Sequence, residues 1–161
     1  MSAIATQPRF AEIEWDSRRV RIEYEWVGEG DRVLVFLHEG LGSRAMWRDF
    51  PAKLSAALGM RGLVYSRPGY GKSTPRDADE RWDTDFMHRQ AFEVLPALLD
   101  AIGVAQPVWL YGHSDGGSIA LLFAARFPQR VASVIVAAPH LFVEDLSVES
   151  IERTRLAYLE T

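Results

Sequence analysis

The chain has 161 residues, enough for one domain with a hydrophobic core, and 48% of them are hydrophobic while 25% are charged. Its formal net charge of −4 argues against nucleic acid or an anionic membrane as the main partner. The lack of cysteine in the sequence excludes disulfides, thiolate metal sites and a cysteine nucleophile. Residues 1–10 have no signal-peptide pattern, and no apolar run is long enough to span a membrane, so we expect a cytoplasmic location.

After a short lead-in, the chain begins with two predicted strands. Residues 20–27 alternate apolar and polar side chains with a period of two, which is typical of a strand with one buried face. Together with residues 10–15 they predict an antiparallel hairpin around a turn at residues 16–19. A continuous apolar run at residues 33–37 then predicts a strand that is buried on both faces, as in a parallel sheet.

The rest of the chain alternates between predicted helices and strands. In order, these are a helix over residues 44–59 split at Pro51 and capped by Gly59, a strand over 62–65, a helix from residue 83 or 84 to 102 kinked at Pro96, a strand starting at Val108, a helix over 117–127, a strand over 131–137 and a helix from 148 to 161. The alternation predicts an α/β fold with a mainly parallel twisted sheet, an N-terminal antiparallel hairpin and helices on both faces.

Residues 112–116 carry the most informative motif in the sequence. They read Gly-His-Ser-Asp-Gly, which fits the pattern G-x-S-x-G, and they lie between an apolar strand and a small-residue helix. In this strand-to-helix turn the two glycines are needed because backbone approaches backbone so closely that a Cβ atom would clash. The pattern therefore predicts that the turn exposes the Ser114 hydroxyl at the N-terminus of a helix, where partial positive charge suits a developing oxyanion.

Two further loops follow buried strands earlier in the chain. Residues 38–43 (HEGLGS) come after the strand at 33–37, and residues 67–73 (RPGYGKS) come after the strand at 62–65. In their order and spacing, these loops and the Ser114 turn resemble the α/β-hydrolase fold superfamily, in its lid-bearing serine esterase and lactonase branch. The resemblance extends over nearly the whole chain.

The resemblance implies a serine hydrolase that forms an acyl-enzyme on Ser114. The backbone N–H groups of Asp115 and of Gly40 or its neighbour would hold the oxyanion. Glu39 departs from the family pattern, which often has glycine there, and a side chain is tolerable if it points away from the oxyanion hole. A serine nucleophile indicates an ester, thioester, lactone or amide substrate, and our leading hypothesis is a small carboxylic ester or lactone. No cofactor is implied, and the scattered histidines indicate no metal site.

A serine nucleophile also needs a general base and an acid that orients the base. His140 is the only histidine after Ser114, whereas the histidine of the resembled family comes two strands further along. Because this position is wrong for reaching Ser114 in the turn, we expect His140 to be a loop or pocket-lining residue and the base and acid to lie outside this chain, with His140 as the less favoured candidate for the base. Glu144 and Asp145 are expected to be solvated loop carboxylates for the same reason.

On this interpretation the sequence looks like the N-terminal portion of a hydrolase without the last core strands. Residues 1–140 would form the core and residues 141–161 the beginning of a lid, and the chain alone would be inactive or weakly active. Because the strand at 131–137 is apolar on both faces, its uncovered edge predicts self-association or a partner chain. The alternative hypothesis is a non-catalytic chain or subunit that needs a partner to complete the fold.

Overall fold

The computed structural model describes residues 9–77 and 79–159, and the strands among them form one six-stranded sheet. These strands are β1 (Arg9–Trp15), β2 (Arg18–Val27), β3 (Val33–Leu37), β4 (Arg61–Tyr65), β5 (Val108–His113) and β6 (Val131–Ala137). Their order across the sheet is β1-β2-β4-β3-β5-β6. β1 pairs antiparallel with β2, and β2 antiparallel with β4, while the pairs from β4 through β6 are parallel. The predicted fold class is confirmed.

The N-terminal hairpin is tighter than the sequence predicted. Asp16 and Ser17 alone connect the strands, with φ of 54° and 59°, and Trp15 pairs with Arg18. Positive φ at both central residues is the geometry of a type I′ turn, whose twist matches that of the paired strands. β2 consequently begins at Arg18, and the predicted four-residue turn was wrong by two residues.

The helices cover both faces of the sheet. They are α1 (Phe50–Leu58), α2 (Phe86–Arg89), α3 (Leu95–Ala101), α4 (Asp115–Arg126) and α5 (Asp145–Leu159), with 3₁₀ turns at Arg44–Trp47 and Pro128–Arg130 and a π-helical turn at Gln90–Val94. The split before α1 falls at Arg48, whose φ is 52°, and Pro51 lies in the first turn of α1, where its missing N–H costs nothing. Gly59 caps α1 in the left-handed conformation, as predicted.

The core lies on the two faces of β3 and its neighbours. All five residues of β3 are buried. On one face α3 and α4 bury their apolar side chains, including Leu95, Leu98 and Phe123. On the other face Phe36 packs in a smaller cluster that includes Trp47 and Tyr111. Because both faces of the central strands are covered, their carboxyl ends are held rigidly at one edge of the sheet.

The described chain leaves two apolar regions exposed. β6 occupies one end of the strand order, and the side chain of Ile135 in it is 44% exposed. α5 and the loop before it contribute no buried residue, and Leu141, Phe142 and Val143 are all largely exposed. No helix in the described part of the chain is long and apolar enough to cross a membrane.

Candidate active site

Ser114 occupies a strained turn between β5 and α4. Its φ of 53° and ψ of −120° lie in a region that non-glycine residues rarely adopt. The turn is held because Ser114 N–H donates to the Ala137 carbonyl at 2.9 Å, while the N–H groups of Gly117 and Ser118 donate to the Ser114 carbonyl. The structure therefore has the strand–turn–helix geometry that the motif predicts.

Two glycines make this turn possible. A Cβ atom built on Gly112 would collide with the Gly116 carbonyl, and one built on Gly116 would collide with the Leu37 carbonyl. Backbone atoms cannot move aside without breaking the sheet or the helix. The packing around both positions therefore requires glycine, as the motif predicted.

The loop after β3 approaches the start of α4 closely. A Cβ atom on Gly40 would lie 2.9 Å from Oδ2 of Asp115, so only glycine allows this approach without a shift of the Asp115 side chain. Among residues 9–77 and 79–159, no group accepts a hydrogen bond from the N–H of Gly40 or of Asp115. Both N–H groups are therefore free to donate to a ligand. The Glu39 side chain lies against Gly42 and lines the cleft described below.

His38 supports this loop from the protein interior. The Arg67 N–H donates to His38 Nε2 at 3.1 Å, so the ring proton is on Nδ1, which donates to the Glu39 carbonyl at 2.8 Å. Burial, together with the nearby Arg67 guanidinium, lowers the pKa of His38 from 6.5 to about 3. His38 is consequently a neutral structural residue near neutral pH.

Arg67 is a buried cation beside the loop that follows β3. Only 1% of this residue is exposed, its Nη2 donates to the Glu39 carbonyl at 2.8 Å, and its Nη1 lies 3.8 Å from Oδ2 of Asp115. The sequence pattern identified the loop that contains Arg67, but no role was predicted for this residue. A basic residue directly after a buried strand, at the edge where Ser114 is expected, was the available signal.

A second buried charge anchors the loops from the hairpin side. Oε2 of Glu23 accepts hydrogen bonds from Ser66 Oγ and Lys72 N–H, both at 2.9 Å, and Oε1 accepts from Arg44 Nε at 3.2 Å. Burial by itself raises the pKa of Glu23, but the hydrogen bonds from Lys72, Ser66 and Arg44 lower the pKa below its usual value. β2 is thereby tied to the loops that follow β3 and β4.

His140 lies much closer to Ser114 than the sequence predicted. Its Nε2 is 3.0 Å from Ser114 Oγ, because β6 runs parallel to β5 and both strands end at the same edge of the sheet. Ser118 Oγ bonds both the N–H and the carbonyl of His140, at 2.9 and 3.0 Å, which fixes the residue. The expectation that the position of His140 is wrong for reaching the nucleophile is therefore corrected.

The acid of a complete triad is not assembled around His140. Its Nε2 also lies 3.7 Å from Oδ1 of Asp115, but an orienting acid must bind the other ring nitrogen, Nδ1. Within the described ranges no carboxylate binds Nδ1, and Glu144 instead accepts a hydrogen bond from Ser147. The same ranges contain no cluster of three or more acidic or histidine side chains that could hold a metal ion.

A cleft of about 730 Å³ opens above Ser114. Its floor comprises Gly40, Ser114 and Asp115, and one face of α5 forms the opposite wall. That wall carries Ser150, Ile151, Thr154, Arg155 and Tyr158. The volume lies within the range of small-molecule sites.

The class of protein follows from the fold and this turn, and a family comparison agrees with it. A family model described as the alpha/beta hydrolase fold matches residues 32–160. The chain therefore belongs to the α/β-hydrolase fold family.

Two individual relatives match most of this chain. The chain is 32% identical over 128 residues to Serine hydrolase BPHL of Mus musculus, and the matched region covers 78% of this chain and 42% of that protein. It is 28% identical over 130 residues to a 2-hydroxy-6-oxononadienedioate/2-hydroxy-6-oxononatrienedioate hydrolase of Burkholderia vietnamiensis, covering 80% of this chain and 43% of the relative. The chain thus spans less than half the length of these relatives.

A solved structure extends the likeness in fold. A thermophilic esterase from Thermogutta terrifontis, solved with malate bound, superposes with a TM-score of 0.70 at 21% identity. The superposition covers 92% of this chain and 52% of the esterase. At this identity the likeness is one of fold.

Proposed function

We propose that this chain carries the nucleophile and the oxyanion hole of a serine hydrolase that cleaves small carboxylic esters or lactones. The observation that carries the proposal is the 3.0 Å contact between Ser114 Oγ, on a strained turn, and His140 Nε2. A serine becomes a useful nucleophile only when a base can take its proton, and this distance is within hydrogen-bond reach.

The proposed chemistry uses four groups. Ser114 Oγ attacks the acyl carbon while His140 Nε2 takes the hydroxyl proton, and the carbonyl oxygen becomes an oxyanion. The N–H groups of Gly40 and Asp115 donate to that oxyanion, each worth about 3–4 kcal/mol in the transition state. His140 then returns the proton to the departing alkoxide, and water releases the acyl group by the reverse sequence.

We also propose that α5 forms the side of the cleft that contacts the substrate. Residues 141–161 would begin a lid over a core formed by residues 1–140. The hydroxyl and guanidinium groups on the α5 wall suit an acyl compound with polar substituents. The names of the relatives, one of them a hydrolase of a hydroxy-oxo dicarboxylate, also favour a small oxygenated substrate.

Active-site labelling tests the proposal. A fluorophosphonate probe should phosphonylate Ser114, with loss of fluoride, and Ser114→Ala should abolish both labelling and hydrolysis of a short-chain nitrophenyl ester. Ser147→Ala, which removes a partly exposed hydroxyl near the start of α5, is the matched control and should be labelled at the wild-type rate. Labelling that persists in Ser114→Ala would contradict the proposal.

A second candidate is a subunit that does not catalyse until a partner completes the fold. It is favoured by the lack, among residues 9–77 and 79–159, of a carboxylate bound to His140 Nδ1, and by the position of β6 at the end of the strand order. The partner would pair with residues 131–137. A folded, monodisperse sample that no fluorophosphonate labels would support this candidate, and light scattering would report whether the chain self-associates.

A further inference from the structure

We propose that Arg67 is a positioning residue that fixes the distance between the two N–H donors of the oxyanion hole. The inference rests on the proposed function of Ser114, and it gives a buried cation outside the reacting groups a specific task. Arg67 does not line the cleft; it acts through Glu39 on one side and through Asp115 on the other.

The burial of Arg67 needs an explanation because it is costly. A charged side chain that is 1% exposed has lost nearly all of its water, which stabilises a fold only when strong partners replace that water. Among the described residues, its Nε and Nη1 make no hydrogen bond. Within the described ranges, the only hydrogen bond that the guanidinium donates to an acceptor is the one from Nη2 to the Glu39 carbonyl. We would expect an arginine retained for stability alone to have hydrogen-bond partners for these nitrogens as well.

The Glu39 carbonyl determines where the Gly40 N–H points. That carbonyl accepts from Arg67 Nη2 at 2.8 Å, from His38 Nδ1 at 2.8 Å and from Gly42 N–H at 3.2 Å. The peptide between Glu39 and Gly40 is trans and planar, so its carbonyl and its N–H point in opposite directions. Three donors that hold the carbonyl in the interior therefore aim the Gly40 N–H away from it.

The other terminal nitrogen of the guanidinium, Nη1, approaches Asp115, the residue that supplies the second proposed N–H donor. Nη1 lies 3.8 Å from Oδ2 of Asp115, and the same Oδ2 is the atom that a Cβ on Gly40 would meet. Asp115 is the first residue of α4, and its own N–H is the second proposed donor. The Tyr70 ring lies 4.9 Å from the guanidinium carbon and limits its movement. One rigid, planar cation thus joins the two residues that supply the donors, a task that its fork geometry suits better than a lysine ammonium.

Substitution of Arg67 separates positioning from stability. Arg67→Met keeps most of the packing volume but removes both arms, and Arg67→Lys keeps the charge but cannot contact Glu39 and Asp115 together. Loss of one well-placed oxyanion donor lowers rates roughly 10²–10³-fold, so we expect that loss in the maximal rate of fluorophosphonate labelling for Arg67→Met. The half-saturating probe concentration should stay unchanged, and Arg67→Lys should fall between Arg67→Met and wild type. Arg130→Met removes an ion pair with Asp100 far from the cleft and should label like wild type.

Amide NMR spectra provide the readout that a purely structural role would not change. In the wild-type chain the Gly40 and Asp115 amide signals should both shift when Ser114 is phosphonylated, whereas in the Arg67 variants the Gly40 shift should shrink. If Arg67→Met fails to fold, Arg67→Lys decides the question by the same two measurements. A folded Arg67 variant with the wild-type maximal rate overturns this inference and leaves the proposed function intact. An unlabelled wild-type chain overturns both.

Discussion

The loops at the carboxyl edge of the sheet and the segment after β6 are held in opposite ways. The edge loops contain buried polar groups, His38 and Arg67 among them, whose hydrogen bonds fix the backbone around Ser114. Residues 141–159 contribute large apolar side chains that remain exposed, and α5 buries none of its residues. The edge loops are held by packing and polar bonds, whereas α5 borders the cleft without burying a residue.

Under the proposed function, this difference separates the residues that carry out the reaction from those that select the substrate. Ser114, Gly40 and Asp115 belong to the part of the chain whose positions are fixed by the core. The wall that would contact a substrate beyond its acyl group lies on α5, which adds little to folding energy. Changes in α5 can therefore alter specificity at small cost in stability, while changes in the edge loops threaten the fold itself.

The largest expected effect comes from a methyl group in the fixed region. Gly116→Ala places a Cβ atom against the Leu37 carbonyl, so we expect a loss of more than about 4 kcal/mol in the free energy of unfolding, measured by urea titration. Gly103→Ala is the control: its Cβ would meet no atom within 4 Å, and only the positive φ of 74° costs about 1–2 kcal/mol. Equal losses in the two variants would mean that the edge can rearrange.

The next effect tests where the fixed region ends. His140→Asn removes the proposed base while Ser118 can still bond the backbone, so nitrophenyl ester hydrolysis should fall roughly 10²–10⁴-fold. His113→Asn changes an exposed histidine directly before Ser114 and should hydrolyse the ester at the wild-type rate. An unchanged rate for His140→Asn would assign the base to a residue other than His140.

Sequence reasoning predicted the parts of the site that depend on local geometry. The Ser114 turn was predictable because its glycines, strand and helix adjoin one another in the chain. The approach of His140 was not, because it depends on two strands ending together and on the Ser118 contact across 22 residues. The contact of Arg67 with the Glu39 carbonyl joins loops 28 residues apart, and no periodic pattern reports such a pair.

In the fold, too, the features set by local sequence were predictable and the others were not. Apolar runs and alternation predicted every strand of the described sheet, since burial imposes those patterns directly. The exact start of β2 depended on the conformations of Asp16 and Ser17, which composition does not reveal. Pro96 was expected to kink one helix, and the structure instead inserts a π-helical turn ahead of α3 and leaves Pro96 in its first turn.

A matched pair of leucines measures the contrast in stability. Leu98 in α3 is completely buried, and Leu98→Ala should cost about 2–5 kcal/mol of unfolding free energy through lost burial and the cavity left behind. Leu156 in α5 is 50% exposed, and Leu156→Ala should change that free energy by less than about 0.5 kcal/mol. Thermal and urea unfolding would check both variants. A comparable loss in Leu156→Ala would contradict the description of α5 as marginal to the fold.

The smallest effect, a pH dependence, belongs to His38. Because burial lowers the pKa of His38 to about 3 in the folded chain, against 6.5 in the unfolded chain, the unfolded state binds more protons between these values. The contribution of His38 to the free energy of unfolding is therefore fully present above pH 6.5 and falls as the pH drops. The loss is about 2 kcal/mol at pH 5, since each pH unit below the pKa of the unfolded state costs about 1.4 kcal/mol.

His38→Gln should remove this slope between pH 6.5 and 5. Glu23→Gln should leave the slope in place, because the lowered pKa of Glu23 affects stability only below the ordinary glutamate value of 4.5. A wild-type chain whose unfolding free energy is constant from pH 6.5 to 5 would contradict a buried, neutral His38 and weaken the case that the edge loops are held from within.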